Sequence, residues 1–277
     1  MVKKCLILNN DNYYSVDANK EYMSVSQFKD FSGTFGKPGC EACAFSKLNG
    51  EWHEEKTTPL LVGGYVDAYY EGTLDVYKAQ NPDIFTKGST YKPSELKAPY
   101  RQADIIIDMS KEPRNKRWND YLSGEKQVIM TAEIFGAMWK IKMDSYIENV
   151  CITDLKVIQG IYDTKYVKDS GLTDFIKYWN YDIQGAIYQK VVELNTGKKL
   201  PFYIAAVTKS DHPQFRLIHI PQIWLDDAIS IVEYNLPRIL RIKSGEIPAD
   251  RCERCDYCND TYVVKKPISA TELVGEI

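Results

Sequence analysis

Between residues 128 and 158 the chain places three strand-like segments in close succession: VIMTAEIF (128–135), MWKIKMDSY (138–146) and VCITDLKVI (150–158). Short turns separate them, which suits antiparallel neighbours rather than parallel strands joined by long crossovers. A chain with this block at its centre must build a sheet. Helical spacing surrounds the block. Residues 24–32 (SVSQFKDFS) predict a short helix, with Ser24 as N-cap and Val25, Phe28 and Phe31 along one side. Residues 59–79 predict a longer helix that starts at Pro59 and buries Leu61, Val62, Tyr65, Val66 and Tyr69. A helix over 173–195, strands at 201–209 and 215–221, and a helix over about 222–243 complete the order. The fold class is α+β, or mixed α/β: a central, mostly antiparallel or mixed sheet flanked by helices. No internal repeat or Gly/Ser linker interrupts the 277 residues, so a single domain is expected, with its core over 24–245 and a tail over 246–277.

No apolar run approaches the roughly 18 residues that would span a bilayer. The N-terminal stretch MVKKCLILNN has two lysines, but it lacks the long apolar region and small-residue cleavage site of a signal peptide. A cytoplasmic setting is therefore the expectation. In a reducing compartment, close-set cysteines read as metal ligands before they read as disulfides. The chain has seven cysteines: Cys5, Cys40, Cys43, Cys151, Cys252, Cys255 and Cys258. The net charge of −3 leaves any nucleic-acid affinity to a local basic face.

Asp154-Leu155-Lys156 lies in the third segment, where period-two alternation turns the Asp and Lys to one face and Leu155 into the core. Asp144 ends the preceding segment. If the two strands turn around 147–150, with Asn149 at the centre, Asp144 falls opposite Asp154 at a separation of roughly 4.5–5.5 Å. Carboxylates that close repel each other unless a cation lies between them, and Mg²⁺ or Mn²⁺ suits oxygen ligands. Lys156 could orient a water or stabilise charge on a phosphoryl oxygen. An Asp-x-Lys pair alone is an ordinary surface ion pair, so the argument needs company. Gln184 and Tyr188 supply it, at i and i+4 on the following helix. Asp67, in Gly63-Gly64-Tyr65-Val66-Asp67, adds a carboxylate upstream, with Glu71 and Glu133 in reserve.

In order and spacing, these pieces resemble the PD-(D/E)XK nuclease superfamily, in its RecB-like and phage exodeoxyribonuclease VIII-like branch. The resemblance runs over about residues 24–260 and takes in Ser24-x-Ser26 and the late cysteines. It implies a restriction-endonuclease-like core and a Mg²⁺- or Mn²⁺-dependent hydrolysis of DNA. Asp144 and Asp154 would hold the metal with the Leu155 carbonyl, Lys156 would be the catalytic lysine, and Gln184 and Tyr188 would position the phosphate or the lysine. Asp67 stands where the family usually has a metal-binding histidine. The substrate implied is double-stranded DNA digested from its ends in phage-type recombination, with a single-strand annealing protein as partner and a closed homo-oligomer as the assembly. The competing expectation is a catalytically inactive module that binds DNA or a partner on the same fold.

The resemblance also implies that Cys252, Cys255 and Cys258 join one early cysteine, Cys43 or alternatively Cys40, to hold a [4Fe–4S] cluster. Paired C-x2-C spacings fit a tetrahedral zinc site equally well. Cys5 and Cys151 read as unpaired. His53, His212 and His219 share no ligand spacing, and the tyrosines near the motif helices read as packing. The run from Lys111 to Trp118 reads either as a phosphate-contacting loop or as a solvated surface segment.

Overall fold

The computed structural model describes residues 6–89, 93–264, 267 and 269. Its first part is helical: α1 (Val16–Glu21), α2 (Val25–Ser32), α3 (Glu41–Leu48), α4 (Thr58–Tyr70), α5 (Leu74–Gln80), α6 (Ala98–Ser110) and α7 (Lys116–Tyr121). Strands β1 (Val128–Ile134), β2 (Ala137–Met143), β3 (Ser145–Ile147) and β4 (Cys151–Ile158) follow, then a small hairpin of β5 (Lys165–Val167) and β6 (Gly171–Thr173). The chain continues through α8 (Phe175–Tyr178), α9 (Tyr181–Thr196), β7 (Phe202–Thr208), β8 (Phe215–His219), α10 (Gln222–Lys243) and α11 (Asp256–Asp260). Cys5 lies outside the described residues.

The central sheet has the order β3-β4-β7-β8, and β1 pairs with β2 as a separate hairpin. β3–β4 and β7–β8 are antiparallel, whereas β4 and β7 run parallel. The parallel pair follows from α9, which separates the two strands in sequence and gives the chain its crossover. The sheet is therefore mixed, as the segment order predicts. One face carries Leu155, Ala205 and Val207 into a core with Val62, Tyr65 and Val66 of α4 and Ile106 of α6. The other carries Ile152, Ile204 and Ala206 into a core with α2, α9 and α10. Helices thus cover both faces.

Three predicted elements are interrupted, each at an identifiable residue. The segment 138–146 breaks at Asp144, so that β2 serves the β1 hairpin and β3 serves the central sheet. The helix expected over 59–79 stops at Gly72, whose φ of 75° ends α4 before α5 begins. The helix expected over 173–195 becomes α8 and α9, separated by Asn180 at φ 51°. Ser24 caps α2 as expected, its hydroxyl accepting from the Gln27 amide. No helix among the described residues is long and apolar enough to cross a membrane.

Candidate active site

Ser145 pairs with Thr153 across β3 and β4, and Asn149 at φ 62° makes the turn. Asp144, one residue before Ser145, therefore stands level with Asp154, one residue beyond Thr153. The Asp144 Oδ2 accepts a hydrogen bond from the Leu155 amide at 2.9 Å. Leu155 itself packs into the α4 side of the core, which leaves Asp154 and Lys156 on the α9 side. Gln184 reaches down from α9, and its Nε2 donates to Asp154 Oδ1 at 2.6 Å. The other oxygen, Asp154 Oδ2, is in close ion-pair contact with Lys156. Only 3% of Asp154 is exposed, so this oxygen is a buried acceptor with one cation beside it.

From the opposite side of the sheet, α4 brings Asp67 to a small pocket that it shares with Glu71, Gln127, Asp144 and Leu155. The charges interact as such crowding requires. Burial, and after it the Asp154 charge, pushes the Asp144 carboxyl up to about 7. Burial and the Asp144 charge hold Asp67 well above the usual carboxylate range. Burial works against the Lys156 ammonium, but Asp154, Tyr181 and Asp144 outweigh it and hold the lysine above its ordinary value. Buried carboxylates that resist ionising together form a donor set that suits a hard divalent cation.

The Tyr188 hydroxyl donates to the Lys142 carbonyl at 3.1 Å and braces β2, and the side chain lines a cleft with Lys156 and Gln184. Gln184 contacts Asp154 rather than Lys156. Glu133 is exposed on β1 next to the hairpin turn, at the end away from Asp144, and joins no site. In the 111–118 segment, Lys111, Arg114 and Lys116 are paired with Asp108, Glu112 and Asp120, and Trp118 is buried. That segment is a local surface structure with an aromatic anchor.

Residues 24–261 match the family model of a PDDEXK-like domain of unknown function, DUF3799. The chain belongs to that family. The PDDEXK-like chain is also similar to a solved structure from Eubacterium rectale, of a protein described provisionally as an exonuclease. The two share 55% identity over 99% of this chain and 100% of the other, with a TM-score of 0.94. No curated protein matches the chain significantly. The PDDEXK-like family and this neighbour together support a nuclease.

The same PDDEXK-like domain carries a second donor group. The thiols of Cys40, Cys252, Cys255 and Cys258 all lie within 4.8 Å of one another. Cys258 Sγ is 3.6 Å from Cys40 and 3.9 Å from Cys252. Cys43, the early cysteine expected ahead of Cys40, lies outside this group, and the reason is local. Cys40 is the N-cap of α3 with extended backbone (φ −143°, ψ 109°), whereas Cys43 lies one turn into the helix, on the side of Lys47. Burial opposes ionisation of Cys252, but backbone hydrogen bonds from Arg254 and Cys255 bring it down to about 7. Burial holds the Cys255 thiol up. Cys151 is a buried strand residue apart from this group.

Lys29, Lys140 and Tyr13 are the site neighbours that the sequence reading passed over. With Ser24, Ser26, Lys156, Gln184 and Tyr188 they line one cleft. A signal for Lys140 was present: it interrupts the apolar alternation of M-W-K-I-K-M, between the fully buried Trp139 and Ile141.

Proposed function

We propose that this chain is a divalent-metal-dependent deoxyribonuclease that digests duplex DNA from its ends. The observation that carries this reading is the meeting of Asp144, Asp154 and Lys156 on paired strands, with Gln184 bonded to Asp154. The crowding of buried Asp67, Asp144 and Asp154, and the upward push on Asp67 and Asp144, support a cation at this point. Mg²⁺ or Mn²⁺ held by Asp144, Asp154, the Leu155 carbonyl and Asp67 would offset the carboxylate repulsion and polarise the phosphate.

The protein's own groups then divide the work. Lys156, paired with Asp154, is placed to orient the attacking water or to stabilise the charge that gathers on the phosphoryl oxygens. Gln184 fixes the Asp154 carboxylate, and Tyr188 holds β2 beside it. Water attacks the phosphorus opposite the 3′-oxygen, the P–O3′ bond breaks, and a 3′-hydroxyl and a 5′-phosphate remain. The resemblance to phage-type exonucleases extends the proposal to recombination, with a single-strand annealing protein taking up the product strand and a ring of copies around the DNA.

The four-thiol group supports a structural metal. A zinc–sulfur bond near 2.3 Å gives a tetrahedron whose sulfur–sulfur edges are about 3.8 Å. The sulfur separations of 3.6 Å between Cys40 and Cys258 and 3.9 Å between Cys252 and Cys258 suit one such ion. A four-iron cluster, with each thiolate on a different iron, needs its sulfurs spread further.

The test is digestion of linear and covalently closed circular duplex DNA with Mg²⁺ or Mn²⁺, using wild type, Asp154→Ala and Lys156→Ala. Linear DNA should disappear while circles survive, and each variant should be slower by roughly 10³-fold or more. Binding of both substrates without cleavage by any preparation would instead mark a DNA-binding module.

A further inference from the structure

The segment that leads into α1 is fastened to β2. The Tyr13 hydroxyl donates to the Lys140 carbonyl at 3.4 Å, and Lys140 Nζ donates back to the Tyr13 carbonyl. Lys140 also reaches Asn19 Oδ1 at 2.8 Å, and Asn19 Nδ2 donates to the Tyr14 carbonyl at 3.4 Å. The backbone of Tyr14 is therefore fixed on both sides. Tyr13 is 6% exposed, whereas Tyr14 beside it is 71% exposed. Resting on the nuclease reading of the neighbouring centre, we propose that Tyr14 is the platform on which a base of the substrate DNA stacks at the mouth of that centre.

Strand alternation places this ring next to the carboxylates. Lys140, Lys142 and Asp144 follow one another at a spacing of two, so they share one side of the strand. Lys142 Nζ lies 4.9 Å from the centre of the Tyr14 ring and 5.6 Å from that of Tyr13. Its carbonyl accepts the Tyr188 hydroxyl, which ties the same residue to α9. Asp144 stands two residues further on, roughly 7 Å along an extended strand. The charges agree with that placement. Burial of its hydroxyl end, and after it the charges of Asp144, Glu71 and Asp67, push the Tyr14 phenol up. These are the three carboxylates that line the small pocket of the centre.

The ring is held as well as placed. Tyr13 meets it edge to face, with centroids 4.9 Å apart and planes at 82°, and the Lys142 ammonium adds a cation–π contact. Most of its surface still faces water. An aromatic ring fixed in this way loses little freedom when a flat partner covers it, and every base has a π face to offer. The surroundings select a base over a phosphate. Asp144, Glu71 and Asp67 repel an anion at this position, whereas a base is neutral. Burial holds Lys142 down, against the Glu71 and Asp144 charges that favour its ammonium, so the lysine is already committed to these carboxylates and to the two rings. Tyr14 thus takes a base of a nucleotide close to the phosphate being cut, and it fixes the strand by stacking and not by charge.

The experiment measures binding of a short blunt duplex to the full chain in EDTA. A single abasic site is placed in turn at each of the first few nucleotides of either strand, and wild type is compared with Tyr14→Ala and Tyr14→Phe. Tyr14→Ala should weaken binding of the intact duplex roughly tenfold, and Tyr14→Phe should stay within about twofold, because the ring does the binding. The salt slope should be the same for all three, since no phosphate contact is lost. At one position the abasic site should cost wild type roughly the same tenfold and cost Tyr14→Ala nothing further. A tyrosine that only braced the fold would not couple to one base in this way. Equal abasic penalties in wild type and Tyr14→Ala at every position overturn the platform, and so does unchanged binding of the intact duplex by Tyr14→Ala. A loss in Tyr14→Phe as large as in Tyr14→Ala overturns it too, since the hydroxyl would then be the contact. Binding is read without divalent metal, so a chain that cuts linear DNA but shows no coupling loses only the platform. One that shows the coupling but cuts nothing loses only the nuclease reading.

Discussion

Asp144 feels burial and a facing carboxylate together, and that combination has a measurable consequence. A carboxyl whose folded value is raised from 3.8 to about 7 takes up a proton more readily in the folded chain than in the unfolded one. Its contribution to stability is therefore full below pH about 4 and is lost as pH rises through about 7. Asp144→Asn cannot titrate and escapes that loss. In EDTA the variant should be more stable than wild type at pH 8 by on the order of 2 kcal/mol, with little difference near pH 4. Thermal melts at the two pH values would show it, and added Mg²⁺ should close the gap by stabilising wild type alone. A gap that stays constant with pH would refute the repulsion argument. Asp154 and Lys156 were legible in the sequence because strand alternation fixes which side chains share a face. The partners of Tyr188 and Gln184 were not, since helical spacing says that both face the site but not which atom each will meet.

At the scale of elements, α9 must lie close to the sheet for Gln184 to reach Asp154, and Gly185 permits that approach. A Cβ at Gly185 would sit 2.6 Å from Phe202 Cδ1 and 2.9 Å from Leu225 Cδ2. Phe202 is fully buried on β7 and cannot swing aside. Gly185→Ala should lower stability by about 1–3 kcal/mol and reduce kcat more than KM, because the lifted helix withdraws Gln184. Gly63 is the control. A Cβ there meets nothing within 4 Å, so Gly63→Ala should leave stability unchanged or raise it by about 0.5–1 kcal/mol through helix propensity. Urea unfolding of both variants checks the pair, and equal effects would disprove the packing account. The block from 128 to 158 was legible because its turns are short and its alternation is regular. The break at Asp144 was not, because which partner each half of the segment joins is decided by tertiary pairing. The helix α6 went unread for a related reason: its Ile105-Ile106-Ile107 run is β-branched and mimics a strand, although Tyr100, Ala103 and Ile107 lie along one buried side.

For the molecule as a whole, the cysteine group joins parts of the chain more than two hundred residues apart. It ties the start of α3 to the segment around α11. Arg238 of α10 makes the same connection, pairing with Glu41 at 2.6 Å and with Asp250 at 2.6 Å. These exposed ion pairs add little, and the segment is also held by the Ala42 amide, which donates to the Asp250 carbonyl at 3.0 Å, and by Ile247 and Ala249 packed on the core. The sequence showed that the late cysteines belong together, but only the cap geometry of α3 separates Cys40 from Cys43. If a single tetrahedral ion occupies the group, metal analysis of the intact chain should find about one zinc per protein and no visible absorption band from iron. Cys258→Ser and Cys40→Ser should lose that metal and melt several degrees lower, while Cys43→Ser should keep it. The loss should also reach the active centre. α3 follows α2, whose Lys29 and Ser26 line the cleft beside Lys156. On warming, Cys258→Ser should therefore lose DNA binding before its sheet unfolds, so that binding and far-ultraviolet circular dichroism give different midpoints. A stoichiometric iron–sulfur spectrum would replace zinc with a cluster, and unchanged stability in all three variants would remove the metal from the account of how the ends are held.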